Sequence, residues 1–200
     1  MMAKTHLSVG LAAALAAAPA TSEGLYYALM GGALGSVVCD IDRNSENPSR
    51  DNRQGWGIAG TIFFSAFLHE SITDWQTFGM RYFLDRPDRL ICIAVLLGVL
   101  LFAIHGSHRG FSHSFLMLFA SAVPIYIISR QTCLFYIIAF LTHMLLDLMN
   151  KRPVKIFYPA KGFCLNLCYC DGLMNRILML AGTAGVAALV FCKFGVNWIY

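Results

Sequence analysis

His143 and Asp147 stand four residues apart in the string HMLLD, so on a helix both side chains leave the same face about one turn apart. Imidazole with carboxylate is the ligand mixture suited to zinc, with manganese or iron as alternatives. Asp40 and Asp42 lie two residues apart. On an extended segment they would point the same way, and two such carboxylates can bridge a pair of ions about 3.5–4 Å apart. The string HRGFSHS carries His108, Arg109 and His113. Its Gly110 and Ser112 suggest a turn followed by a helix N-cap, which would leave backbone N–H groups free to meet an anion. Arg109 adds a fixed positive charge suited to a phosphate or carboxylate oxygen. His6 opens the first apolar run.

Each of these also has a plainer reading. A His–Asp pair at helical spacing can be a satisfied intramembrane hydrogen bond, Asp42 with Arg43 a solvated ion pair, His108 and His113 interface residues, and Arg109 an anchor at the membrane surface. His69 and His105 lack carboxylates at suitable spacing and read as structural. Cys164, Cys168 and Cys170 read as spare thiols, and Asp171 with Asn175 as a further polar pair, either an extra ligand or a cap. Convergence of the segments is what would favour chemistry, because ionisable groups at a membrane span are costly unless paired or bound.

The elements that must position these residues are helices. Apolar stretches run at about 7–20, 25–39, 57–68, 91–105, 111–129, 132–149 and 177–199, and a lone open sheet would strand backbone groups in lipid. Several runs are short, since 15 residues of helix cover only about 22 Å of a hydrocarbon core near 30 Å. Between them lie polar segments: a loop from Asp40 to Gly55, an interfacial linker from Glu70 to Arg89 with Trp75, Phe78, Tyr82 and Phe83, and a basic linker from Lys151 to Asn175 with two prolines. The Ala-rich start is read as a retained first helix rather than a cleaved signal. Gly31, Gly32, Gly35, Gly182 and Gly185 suit close helix packing. If all seven runs cross, His6, Asp40, Asp42, His108, His113, His143 and Asp147 all emerge on one face. That face also carries most of the Lys and Arg, which makes it cytoplasmic. The short run 57–68 decides this arrangement, because without its crossing the early and late ligands fall on opposite sides.

Composition narrows the class. Of 200 residues, 58% are hydrophobic and 13% charged, and the mean hydropathy is +0.61; an ordinary soluble domain carries roughly 25% charged residues. A net charge of +4 without a dense basic run argues against nucleic acid as a partner, and seven cysteines without regular spacing argue against a disulfide framework. The expectation is an all-α, polytopic transmembrane helix bundle, one membrane-embedded domain over residues 1–200, with a metal site at one membrane face.

The motifs together resemble a family, the inner-membrane metal-dependent hydrolases of the LexA-regulated, YdjM-like type. The resemblance runs through most of the chain. It rests on Thr5–His6, on GGALGSVVCDID, on HRGFSHS and on HMLLD, with Cys39 in place of the usual proline and Ser112 where threonine is common. The family is in turn similar to zinc-dependent phospholipase C and P1-type nucleases in its order of ligands. The resemblance implies an inner-membrane location, an SOS-response setting and phosphoester hydrolysis, and a site at the membrane surface makes a lipid headgroup or lipid-linked phosphate the natural substrate. It makes His6, Asp40, Asp42, His108, His113, His143 and Asp147 ligands or their supports, around two or three divalent ions. Asp40 or Asp42 would serve as general base and Arg109 would stabilise developing charge. A metal or proton transporter and a non-catalytic stress-response protein with a structural metal site are the competing readings. The sequence leaves the oligomeric state open.

Overall fold

The computed structural model describes residues 2–44, 50–73, 86–107, 109–169 and 172–195. Among the described residues there are seven α-helices: α1 (Ala3–Ala17), α2 (Ser22–Val37), α3 (Arg50–Thr73), α4 (Pro87–Ile104), α5 (Phe115–Ile128), α6 (Arg130–Leu148) and α7 (Leu173–Leu189). Short 3-10 turns at Val38–Asn44 and Phe111–His113 join the helical set. The helix starts follow local chemistry. Thr21 accepts a hydrogen bond from Gly24 N at 3.1 Å, Ser114 from Met117 N at 3.2 Å and Ser129 from Thr132 N at 3.3 Å, each satisfying a donor that the first turn leaves unpaired. Pro87 opens α4, where its missing N–H costs nothing.

The helices alternate in direction. Ala3 N donates to the Asp51 carboxylate at 2.7 Å and Thr5 Oγ1 to Asn175 Oδ1 at 2.8 Å, so α1, α3 and α7 begin at one end of the bundle. At the opposite end the Tyr26 ring stacks on His69 at 4.2 Å. There Lys193 also donates to the Leu15 and Ala16 carbonyls, a positive charge at the C-terminus of α1. The helix containing 57–68 therefore runs the full length of the bundle. Its 24 residues measure about 36 Å.

Two boundaries differ from expectation. The loop drawn from Asp40 to Gly55 already contains the first turn of α3, where Asp51 places negative charge at the helix N-terminus. The linker from Glu70 is helical as far as Thr73, and α4 starts at Pro87; Trp75, Phe78, Tyr82 and Phe83 lie outside the described residues. The basic linker folds into a cap on the end of α6. Val154 and Phe163 exchange backbone hydrogen bonds at 3.0 and 3.1 Å, and Leu165, Leu167 and Cys168 donate to the Leu148 and Met149 carbonyls.

α6 is the central post, packed on α1, α2 and α5. A Cβ on Gly31 would collide with the Thr132 carbonyl oxygen, and one on Gly35 with that of Tyr136, so these glycines let α2 lie directly on the α6 backbone. Gly182 brings α7 onto α1 in the same way, since a Cβ there would come within 2.8 Å of the Ser8 backbone, whereas at Gly185 there is room for a methyl group. Among the described residues, four helical segments are long and apolar enough to cross a membrane: Ser22–Asp42, Pro87–Ile104, Arg130–Leu148 and Leu173–Lys193. Those containing α4 and α7 bury little of their surface inside the protein, which leaves apolar faces of the kind that lipid covers.

Candidate metal centre

The bundle end at which α1, α3, α5 and α7 start and α2, α4 and α6 finish collects the buried ionisable groups. His6 sits in the first turns of α1, Asp40 in the 3-10 turn after α2, His113 in the turn before α5, and His143 and Asp147 in the last turns of α6. All five are essentially inaccessible, from 0% for His113 and His143 to 3% for Asp40. Asp147 is the hub. Its Oδ1 lies 3.3 Å from His6 Nε2 and 3.2 Å from Arg109 Nη2, and its Oδ2 lies 3.3 Å from His113 Nε2 and 4.0 Å from His143 Nε2. Asp40 Oδ1 stands 3.6 Å from His113 Nε2. The His6 and His143 rings stack in parallel at 3.7 Å, and His113 meets His143 edge-on at 5.3 Å.

The ring protons can be placed by chemistry. His143 Nδ1 lies 2.7 Å from the Ser36 carbonyl oxygen, which only accepts, so Nδ1 carries the proton and Nε2 presents a lone pair. Ser112 Oγ donates to Asp42 Oδ2 at 2.6 Å and therefore accepts from His113 Nδ1 at 2.8 Å. His113 Nε2 then faces Asp40 and Asp147, and presents a lone pair there when the ring is neutral. A carbonyl or carboxylate behind one ring nitrogen, with the other nitrogen pointing inward, is the usual support of a ligating histidine.

The donor set fits a cation. His6, Asp40 and His143 form one group, and His113, His143 and Asp147 another, with ligand atoms within 4.8 Å of each other in each. Tetrahedral ligands about 2.0 Å from zinc stand about 3.3 Å apart, close to the shortest separations here. His143 Nε2 and Asp40 Oδ2 are buried and make no hydrogen bond to a described residue. Asp40, Asp42 and Asp147 bring three carboxylates into one buried cluster, and a cation held there would offset the penalty that burial places on their charge.

Asp40 and Asp42 do not share an extended segment. In the 3-10 turn, residues two apart point in different directions. Asp40 reaches Nε2 of His113, while Asp42 lies 3.8 Å from Nδ1 on the other side of the same ring. The expected anion site in the HRGFSHS turn is also filled from within. Arg109 N donates to Asp42 Oδ2 at 3.2 Å, and the N–H groups of His113, Ser114 and Phe115 all find carbonyl partners. The α5 cap is Ser114 rather than Ser112, whose hydroxyl serves Asp42 and His113. Arg109 takes a left-handed backbone (φ 62°), directing its guanidinium to Asp147 and, at 2.8 Å, to the Arg152 carbonyl. His108 and Asp171 lie outside the described residues. Asn175 serves α1: its Oδ1 accepts from Thr5 Oγ1 and from Met2 N at 3.2 Å, fastening the helix start that carries His6. Ser36 and the Ser112 relay escaped the sequence reading, although Ser112 directly precedes a candidate ligand and offered the one available signal.

Fold and cluster together define a helical membrane protein with a buried His–Asp constellation at one end of its bundle. The family model described as YdjM inner membrane protein matches residues 1–199, and the chain belongs to that family. No curated protein and no solved structure matches it.

Proposed function

We propose that the chain is a multi-pass, metal-dependent hydrolase of the inner membrane, acting on the phosphoester of a lipid headgroup or a lipid-linked phosphate from the cytoplasmic side. The observation that carries this reading is the convergence of the His113 and His143 Nε2 atoms on Asp40 and Asp147 in one buried cluster. In this reading His6, His113, His143, Asp40 and Asp147 hold one or more divalent ions, zinc first and manganese or iron as alternatives, with His108 as a further ligand. A divalent ion so held would act as a Lewis acid and lower the pKa of a bound water toward about 7. Asp42 acts through Ser112 to fix the His113 tautomer. Asp40 Oδ2, which makes no hydrogen bond to a described residue, takes the proton of the attacking water. Arg109, beside Asp147, meets the charge that develops on a phosphoryl oxygen.

The cytoplasmic assignment follows the positive charges. Lys4, Arg50, Arg53, Lys151, Arg152, Lys155, Lys161 and Arg176 lie toward the cluster end, against Arg86, Arg89, Arg130 and Lys193 toward the other. Transport is disfavoured because, among the described residues, the buried ionisable groups gather at one end instead of crossing the bundle. The test is hydrolysis of generic phosphomono- and phosphodiesters by detergent-purified protein, wild type against Asp147→Ala, with metal content measured on both. Metal-dependent turnover lost in the variant supports the proposal. Metal-loaded wild type without turnover favours a structural site, and proteoliposome flux abolished by His143→Ala favours transport.

A further inference from the structure

The cap between α6 and α7 combines two features that rarely meet in a water-facing loop. Residues 151–169 contain Lys151, Arg152, Lys155 and Lys161 and no acidic residue. The same segment exposes large apolar side chains: Phe157 is 63% accessible, Leu167 64% and Tyr169 64%, with Phe163 and Leu165 close behind. These side chains continue the lipid-type faces of the neighbouring helices. The Phe157 ring packs at 5.5 Å from Phe115, the first residue of α5, whose outer face exposes Leu116 and Phe119. Leu165, Leu167 and Tyr169 lead into α7, whose outward Leu173, Ile177 and Leu180 are equally exposed. The Lys151 ammonium sits 3.8 Å from the centre of the Tyr169 ring, so charge and aromatic face are presented together, as at a headgroup boundary.

We infer that this cap is a membrane-interface element that binds anionic phospholipid. Its apolar side chains enter the boundary between headgroups and acyl chains, and Lys151, Lys155 and Lys161 meet the headgroup phosphates. Interleaved basic and apolar side chains favour an anionic leaflet over a zwitterionic one, because only the former adds electrostatic attraction to apolar burial. The cap is also tied to the cluster: Arg109 donates to the Arg152 carbonyl, and Lys155 N to that of Arg109 at 3.1 Å. The inference stands on surface chemistry alone and holds whether or not the cluster carries metal.

The experiment places the photo-crosslinking residue p-benzoylphenylalanine at Phe157, at Leu167 and, as a lipid-facing reference, at Leu180. The full-length protein is reconstituted in nanodiscs containing equal phosphatidylglycerol and phosphatidylcholine, and adducts are identified by mass spectrometry. Lipid adducts are expected at all three positions, with phosphatidylglycerol enriched about five-fold or more at 157 and 167 but not at 180. The enrichment should fall to the bilayer ratio when Lys151 and Lys161, both exposed, and the half-buried Lys155 are all changed to Gln, with the fold checked by gel filtration. Lipid adducts at 180 alone, adducts at 157 or 167 to a second copy of the protein, or equal capture of both lipids would each overturn the inference.

Discussion

His143 donates its Nδ1 proton to the Ser36 carbonyl oxygen, 2.7 Å away on α2, and so turns a bare Nε2 toward Asp147. The contact depends on how closely α2 lies on α6, which Gly31 and Gly35 permit. Helix packing and ligand orientation are thus one arrangement.

Enlarging either glycine should damage both. Gly35→Val places a side chain against the Tyr136 carbonyl and should cost about 1–3 kcal/mol. Thermal unfolding in detergent should show a lower transition temperature together with lost metal. An unchanged transition would contradict the close packing.

Ser112→Ala removes the hydroxyl linking Asp42 to His113 while leaving every proposed ligand in place. Metal affinity or activity should fall about 10–100-fold, the usual effect of losing such a support. Ser112→Thr, which keeps the hydroxyl, should restore it. Equal behaviour of the Ala and Thr variants would remove Ser112 from the site.

Asn175→Ala should loosen the start of α1, because Thr5 Oγ1 and Met2 N both lose their acceptor. A stability loss of about 1 kcal/mol per lost hydrogen bond is expected, with faster amide exchange confined to the first turn of α1. Exchange unchanged there would show that α1 is held by packing alone.

Topology can be read at Cys164, half-buried in the cap at the cluster end. In a background lacking the other cysteines, a membrane-impermeant maleimide should label it in inverted inner-membrane vesicles and not in right-side-out spheroplasts. The opposite pattern would move the site to the periplasmic face.

How much of this was legible follows from which signals are local. Ionisable residues are scarce in apolar runs, so His6, His113, His143 and Asp147 stood out, and alternate crossing by helices was enough to place them at one end. The course of α3 was less plain, since Gly, Thr and Ser dilute its apolar pattern, yet Asp51 and His69 anchor it at both ends. The divergence of Asp40 and Asp42 depended on a 3-10 turn that composition alone does not distinguish from extended chain. Ser36 takes part through its backbone, and no side-chain pattern reports that. The cap hid because its order comes from pairings such as Val154 with Phe163 and from carbonyls at the end of α6, not from periodicity.

Elemental analysis of purified protein tests the central claim most directly, comparing wild type with Asp147→Ala and His143→Ala. At least one transition-metal ion per wild-type chain is expected, lost in both variants while helical content and gel-filtration profile persist in at least one of them. A chelator should lower the wild-type unfolding temperature and added zinc should restore it. Folded wild-type protein that carries no metal, takes up none and melts identically with and without chelator would contradict the account.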